Sequence, residues 1–270
     1  MKKKLFAVYI YTMVGSITVF GGQSLKDINE FNPFEGPKPI AVLLKTNPWL
    51  MVVGSDIPKI VIYEDGQVIY LKQKKGNDSY YLYKKISQDA LNDIKKKLES
   101  FGDFSKIKRY YSVTEVTDQP ETMIYLDYGK AKLICSVYGL NSSPKNIDKT
   151  ALAQLPKSFV QIDDYLTKIE FGDSTKWEPD YIEVMIWPYE YAEGEPLQWP
   201  KNWPDLSSPY KIKREDSYSI FMRGSETAKL QEFLEKVKEK QAVEISGKKW
   251  AMSFRQVFPS EPIWRKAFKQ

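Results

Sequence analysis

Alternation of apolar and polar positions is the clearest pattern along this chain. Residues 59–64 (Lys-Ile-Val-Ile-Tyr-Glu) and 67–71 (Gln-Val-Ile-Tyr-Leu) are β-branched and aromatic runs on either side of Asp65-Gly66. This predicts a hairpin with a two-residue type I′ turn, because Asp and Gly tolerate the positive φ angles that such a turn demands. Apolar runs at 40–44 and 49–53, separated by Lys45-Thr46-Asn47-Pro48, predict further strands joined by turn residues. Residues 79–84 read as another strand, and 122–127 with 132–137 as a second hairpin around Tyr128-Gly129-Lys130.

The period changes to that of a helix in two places. Ser87 is placed to cap a helix running to about residue 100, with Leu91, Ile94 and Leu98 on one face, lysines on the other and Gly102 just past the end. A second helix is predicted over 157–170, with Phe159, Ile162, Leu166 and Ile169 facing inward and Pro156 at its first turn. Its neighbouring acids Asp163 and Asp164 point about 100° apart, which argues against a catalytic dyad.

The second half of the chain echoes the first. Tyr218-Ser219-Ile220-Phe221 precedes Ser225 and a helix bearing Leu230, Phe233, Leu234 and Val237, much as Tyr80-Tyr81-Leu82-Tyr83 precedes Ser87 and its helix. Each helix leads to a hairpin, at 122–137 and at 242–257 around Gly247, and each unit opens with a strand after a proline, Pro58 or Pro179. The expected fold is α+β: antiparallel sheets built from hairpins, helices packed on one face, and two similar strand-strand-helix-strand-strand halves. The expected boundaries are a first half at 40–145, a connecting helix at 146–176 and a second half at 177–270, after an irregular lead-in at 22–39.

The N-terminus changes the picture. Lys2, Lys3 and Lys4 precede an uncharged, mostly apolar run of 16 residues, 5–20, and then Gly21-Gly22. This is the layout of a signal peptide, with cleavage after Gly21 leaving small or modest side chains at Val19 and Gly21. An uncleaved anchor is the alternative, although about 20 apolar residues are needed to span a bilayer. The expected destination is the periplasm or the exterior. The whole chain has 40 Lys+Arg and 35 Asp+Glu, a formal charge of +5. Residues 1–21 hold three of those lysines and no acid, so the cleaved chain has 37 against 35, or +2. The basic balance that would suggest nucleic acid is thereby weakened, and no nucleic-acid partner is expected. Basic runs such as Lys72-Gln73-Lys74-Lys75 and Lys95-Lys96-Lys97 read as a solvated loop and a helix's polar face.

Two residue counts restrict the chemistry. Cys135 is the single cysteine, so no disulfide forms within the chain and stability must come from the core. It lies in the apolar run 131–138, where an inert, buried thiol is expected. There is no histidine. That removes Ser-His-Asp and Cys-His nucleophiles, His-ligated zinc and the usual near-neutral base. Catalysis would have to use carboxylates, lysine, tyrosine or a Ser-Lys pair. No Asp-x-Asp-x-Asp-Gly calcium loop is present, and neither a cofactor nor a metal is predicted.

The most unusual composition lies at 177–205, where Trp177, Tyr181, Trp187, Tyr189, Tyr191, Trp199 and Trp203 alternate with five prolines and seven acids. Pro200 and Pro204, each following a tryptophan, bias the segment toward an extended, rigid loop. Aromatic side chains on such a loop offer a large contact area at small entropic cost, which makes Trp187, Tyr189, Tyr191, Trp199 and Trp203 the candidate ligand-binding residues. The alternative is that these rings plug the seam between the two halves. The stretch 48–70, from Pro48-Trp49-Leu50-Met51 to Val68-Ile69-Tyr70, and the segment Trp199-Pro200-Lys201-Asn202-Trp203-Pro204-Asp205 resemble a group of exported bacterial proteins of unassigned function. The resemblance implies export and no particular activity. The resulting expectation is a non-catalytic binding or interaction module that engages a glycan, a peptide or an envelope protein, with membrane contact only if the N-terminal segment is retained. The alternatives are a carboxylate-dependent hydrolase using Asp56, Glu64, Glu183 or Glu190, and a structural or inhibitor-like envelope protein.

Overall fold

Strand β1, Pro39–Lys45, is apolar and buried on both faces, the signature of a central strand in a covered sheet. In this computed structural model, which describes residues 31–46, 48, 49, 56–73 and 79–269, it lies in the middle of an eight-stranded sheet. The other members are β2 (Pro58–Tyr63), β3 (Gln67–Gln73), β4 (Ser79–Lys85), β5 (Tyr110–Ser112), β6 (Glu121–Tyr128), β7 (Ala131–Tyr138) and β8 (Thr175–Lys176). Their order is β5-β7-β6-β1-β2-β3-β4-β8, antiparallel except for the β5-β7 pair. The expected signal peptide at 1–21, the first half of the lead-in, most of the run at 49–53 and Lys74-Lys75 fall outside the described residues.

Alternation along these strands sorts the core into two layers. Leu43, Ile60, Ile62, Val68, Ile124, Leu126, Leu133, Cys135 and Val137 face helices α1 (Gln88–Glu99) and α3 (Lys157–Lys168), which insert Leu91, Ile94 and Leu98, and Phe159, Ile162 and Leu166. Ser87 caps α1 as expected, its Oγ accepting from Ala90 N–H at 3.2 Å. A one-turn helix, α2 (Lys149–Ala153), leads into α3. The opposite face of the same sheet, carrying Val42, Leu44, Val61, Tyr63, Ile69, Tyr81 and Tyr125, is covered by Phe258 and Trp264. Trp264 lies on helix α5 (Glu261–Lys269), which follows the second sheet in sequence. The first sheet therefore has helices on both faces, where one was expected.

The second sheet has six strands: β9 (Tyr181–Pro188), β10 (Leu197–Gln198), β11 (Lys211–Arg214), β12 (Ser217–Arg223), β13 (Val243–Ile245) and β14 (Lys248–Gln256). Its order is β10-β13-β14-β9-β12-β11, with only β10-β13 parallel. Helix α4 (Thr227–Leu234) lays Leu230 and Phe233 over Ile182, Val184, Ile186, Ile220, Met222 and Trp250. Both sheets belong to one compact unit, Asn32–Gln270.

Each sheet does hold a hairpin, a helix and a second hairpin, but the strand orders are not those of a repeat. In the first sheet the earlier strand of the second hairpin, β6, borders the centre; in the second sheet it is the later one, β14. The Asp65-Gly66 hairpin also differs in detail. Its loop has three residues, with Gly66 N–H donating to Tyr63 O at 3.1 Å and Gly66 at φ 86°. Asp65 Oδ1 accepts from Gln67 N–H at 3.0 Å, and this local contact closes the extra residue. The two-residue turn with both φ values positive occurs instead at Ser246-Gly247, at 52° and 75°.

Candidate functional site

The Trp- and Pro-rich stretch is only partly a loop. Residues 181–188 form β9, a central strand, and the five prolines stay out of its interior: Pro179 precedes it, Pro188 ends it and the other three follow. After Pro188 the chain turns, with Tyr189 N–H bonded to Lys249 O at 3.0 Å and Ala192 N–H to Tyr189 O at 3.0 Å. Lys249 Nζ donates to Ala192 O at 3.0 Å and pins the turn to β14. Tyr189 and Tyr191 meet edge to face at 5.1 Å between ring centres. Tyr191 remains 83 % exposed.

This turn forms one wall of a cleft of about 770 Å³. Trp187, Tyr189, Tyr191 and Trp250 line it, with Trp49 from the connection between β1 and β2. Leu234 and Val237, at and just after the end of α4, form the opposite wall, and Ala251, Met252 and Ser253 of β14 the floor. Trp250 is fixed by its own hydrogen bond, Nε1–H to Ile245 O at 3.1 Å, and by edge-to-face contact with Tyr218. The lining is mainly apolar and aromatic with few polar groups, chiefly Glu239, Lys240, Gln241 and Ser253. Such a concave, largely preformed surface has the character of a binding site.

Of the five aromatic residues singled out by sequence, three meet in this cleft. The other two do not. Trp199 is buried, donates Nε1–H to Pro204 O at 3.0 Å and packs on Trp203 and Phe233. Trp203 is half-buried against the same Phe233. Pro200 and Pro204 fold this segment back onto α4, where its rings complete the core. Trp177 plugs the junction of the two sheets, tilted against Phe258 at 4.7 Å between ring centres and edge-on to Tyr81. Trp49 and Trp250 were missed because the cleft assembles a connection and a strand that lie far from 177–205 in sequence.

The candidate carboxylates are dispersed. Glu64 and Glu190 are exposed in separate turns, and Asp56 offers its backbone carbonyl to Arg265 at 2.6 Å. Glu183 is fully buried on the face of β9 away from α4, and both its oxygens are occupied. Oε1 accepts from Arg214 at 2.9 Å and from Ser219 Oγ, and Oε2 accepts from Arg255. Arg255 also reaches Glu261 with both terminal nitrogens, Nη1 at 2.8 Å, and Arg265 Nε donates to Glu261 at 2.9 Å. Burial alone would raise the Glu261 carboxyl pKa, but the two guanidiniums outweigh it and hold it below the ordinary value. This network ties β9 and β14 to α5. A hollow of about 270 Å³ gathers Glu35, Glu178 and Asp180 beside Lys176, all four exposed.

Asp163 and Asp164 take separate partners, Lys45 and Lys168. The Cys135 thiol is buried, and loss of solvation pushes its pKa up to about 12, which makes it a poor nucleophile. Among the described residues no group of His, Cys, Asp and Glu has the arrangement to hold a metal ion, and no helix is long and apolar enough to cross a membrane. No protein-family model matches the chain, and no curated protein or solved structure is detectably similar to it.

Proposed function

We propose that this chain is an exported, non-catalytic binding module whose ligand seats in the aromatic cleft between β14, the turn after β9 and the end of α4. The observation that carries this reading is the convergence of Trp49, Trp187, Tyr189, Tyr191 and Trp250 on one concave surface. Aromatic rings supply contact area without much rotamer entropy to lose, and Tyr191 stands exposed at little gain to the fold. Export rests on the basic and then apolar order of residues 1–21. A hydrolase reading has less support, because Glu183 has both oxygens committed to partners and Glu64 and Glu190 are not brought together.

Titrating the protein with panels of oligosaccharides and peptides while following tryptophan fluorescence tests the reading. A saturable change is expected for one class, lost at least tenfold in Tyr191→Ala and Trp187→Ala while the melting temperature of Tyr191→Ala stays within a few degrees. Silence across both panels would reject the cleft as a binding site. Export is tested separately, by N-terminal sequencing of the protein recovered outside the cytoplasm, with Gly22 expected as the first residue.

A further inference from the structure

The floor of the cleft is an open sheet edge. β13 pairs with β14 only from Val243–Ile245 to Lys248–Trp250, whereas β9 pairs with β14 as far as Gln256. From Ala251 on, β14 therefore has one edge with no ladder partner among the described residues. Ile245 and Lys248 flank the two-residue turn and form a hydrogen-bonded pair, so alternation directs the Trp250 N–H and C=O to β13 and those of Lys249 to β9. The bond from Tyr189 N–H to Lys249 O agrees with that phase. It follows that Met252 and Phe254 aim their N–H and C=O groups at the open edge.

The cleft walls match this backbone. Trp250 and Met252 lie on the α4 face of the sheet, while Trp187, Ala251 and Ser253 lie on the reverse face, yet both rows line one cleft. A flat ligand stacking on rings needs one face only. An added strand needs both, because its side chains alternate across the sheet. The free stretch from 251 to 254 spans roughly 13 Å. Charge selects further: Glu190, Glu193 and Glu195 are exposed on and just beyond the Tyr191 turn, and the nearby Lys249 is engaged by Ala192 and Gly194 carbonyls. At the other rim Glu239 and Lys240 offset each other.

We propose that the cleft captures an extended peptide segment of a partner protein, basic at the end nearest the Tyr191 turn, which adds as a strand to β14 at Met252 and Phe254. This rests on the binding reading above and specifies its ligand. Backbone pairing supplies affinity, the apolar walls select alternate side chains, and the acidic turn steers and orients the basic end.

The test uses the full chain and tryptophan-free pools of peptides about eight residues long, with a Lys-Lys end and randomised remaining positions. Tryptophan fluorescence is the readout. Parallel pools carry Glu-Glu in place of Lys-Lys, or backbone N-methyl groups on alternate residues in both phases, and an oligosaccharide panel is run beside them. Saturable binding of the lysine pool is expected, weakened at least tenfold in the glutamate pool, in one of the two N-methylated phases, and on raising salt from about 0.15 M to about 0.5 M. Equal binding of both N-methylated pools, or saturation by oligosaccharides with silent peptides, would overturn strand addition while leaving the cleft a binding site. Silence from every probe would reject both. Met252→Pro removes one open-edge N–H that β9 does not use, and is expected to abolish peptide binding in a protein that still melts cooperatively; retained binding in that variant would also overturn the proposal.

Discussion

Arg255 holds two buried carboxylates, Glu183 and Glu261, that lie 72 and 6 positions away in sequence. Replacing it with methionine fills the volume but leaves both acids without their shared partner. The expected loss is about 3 to 5 kcal/mol, read as a lower urea midpoint. Glu261 adds a pH dependence whose sign follows from its lowered pKa. A carboxyl with a folded-state pKa below its unfolded value stabilises the fold above the unfolded value, about 4.3, and that contribution is lost as pH falls through the folded one. Melting temperatures should therefore drop on acidification below about pH 4, and the drop should be shallower in Glu261→Gln, which starts lower at pH 7. At this scale the sequence is nearly silent. An acid between Ile182 and Val184 stands out in an apolar strand, but nothing local indicates that Arg255 answers it. As a bare acid, Glu183 was as good a catalytic candidate as Glu64.

Elements were more legible, and the reason is locality. The hairpins and helices α1 and α3 are specified by neighbours within a few positions: Ser87 as a cap, Leu91, Ile94 and Leu98 as a stripe, Gly129-Lys130 as a turn. Helix α5 was overlooked although Ser260, Glu261 and Pro262 make a helix start and Trp264, Ala267 and Phe268 share a face. The short strands β5, β8 and β10 are set by tertiary pairing and leave little pattern of their own. The cleft was half legible: the aromatic stretch marked Trp187, Tyr189 and Tyr191, while the fold alone separated them from Trp199 and Trp203. One element boundary depends on a missing side chain. At Gly224, between β12 and α4, an added Cβ would lie 1.6 Å from the Pro179 carbonyl oxygen, and Gly224 N–H bonds Asp180 O at 2.8 Å. Backbone cannot yield as a flexible side chain would. Gly224→Ala should cost about 3 kcal/mol or more, the upper end for overpacking, with the denaturant midpoint lowered at an unchanged slope.

Across the whole molecule, the two sheets are joined by more than the chain between them. Helix α5 follows the second sheet, is held to it by the Arg255–Glu261 pair, and buries Trp264 on the first. Phe34 from the segment before β1 meets Phe221 of the second sheet edge to face at 5.6 Å. Both sheets should therefore melt together. Calorimetry should give one transition, and Trp264→Ala should lower it as a whole, by about 3 to 5 kcal/mol; a first sheet that melts separately would contradict this coupling. The same helix also bears on how the protein is made. Tyr63 donates its hydroxyl hydrogen to Pro259 O across 196 positions, so the reverse face of the first sheet stays uncovered during synthesis until residues near 260 have left the ribosome. Closing so long a loop is slow compared with forming α1 or a hairpin. In that interval the nascent chain carries an apolar face that a holding chaperone can recognise.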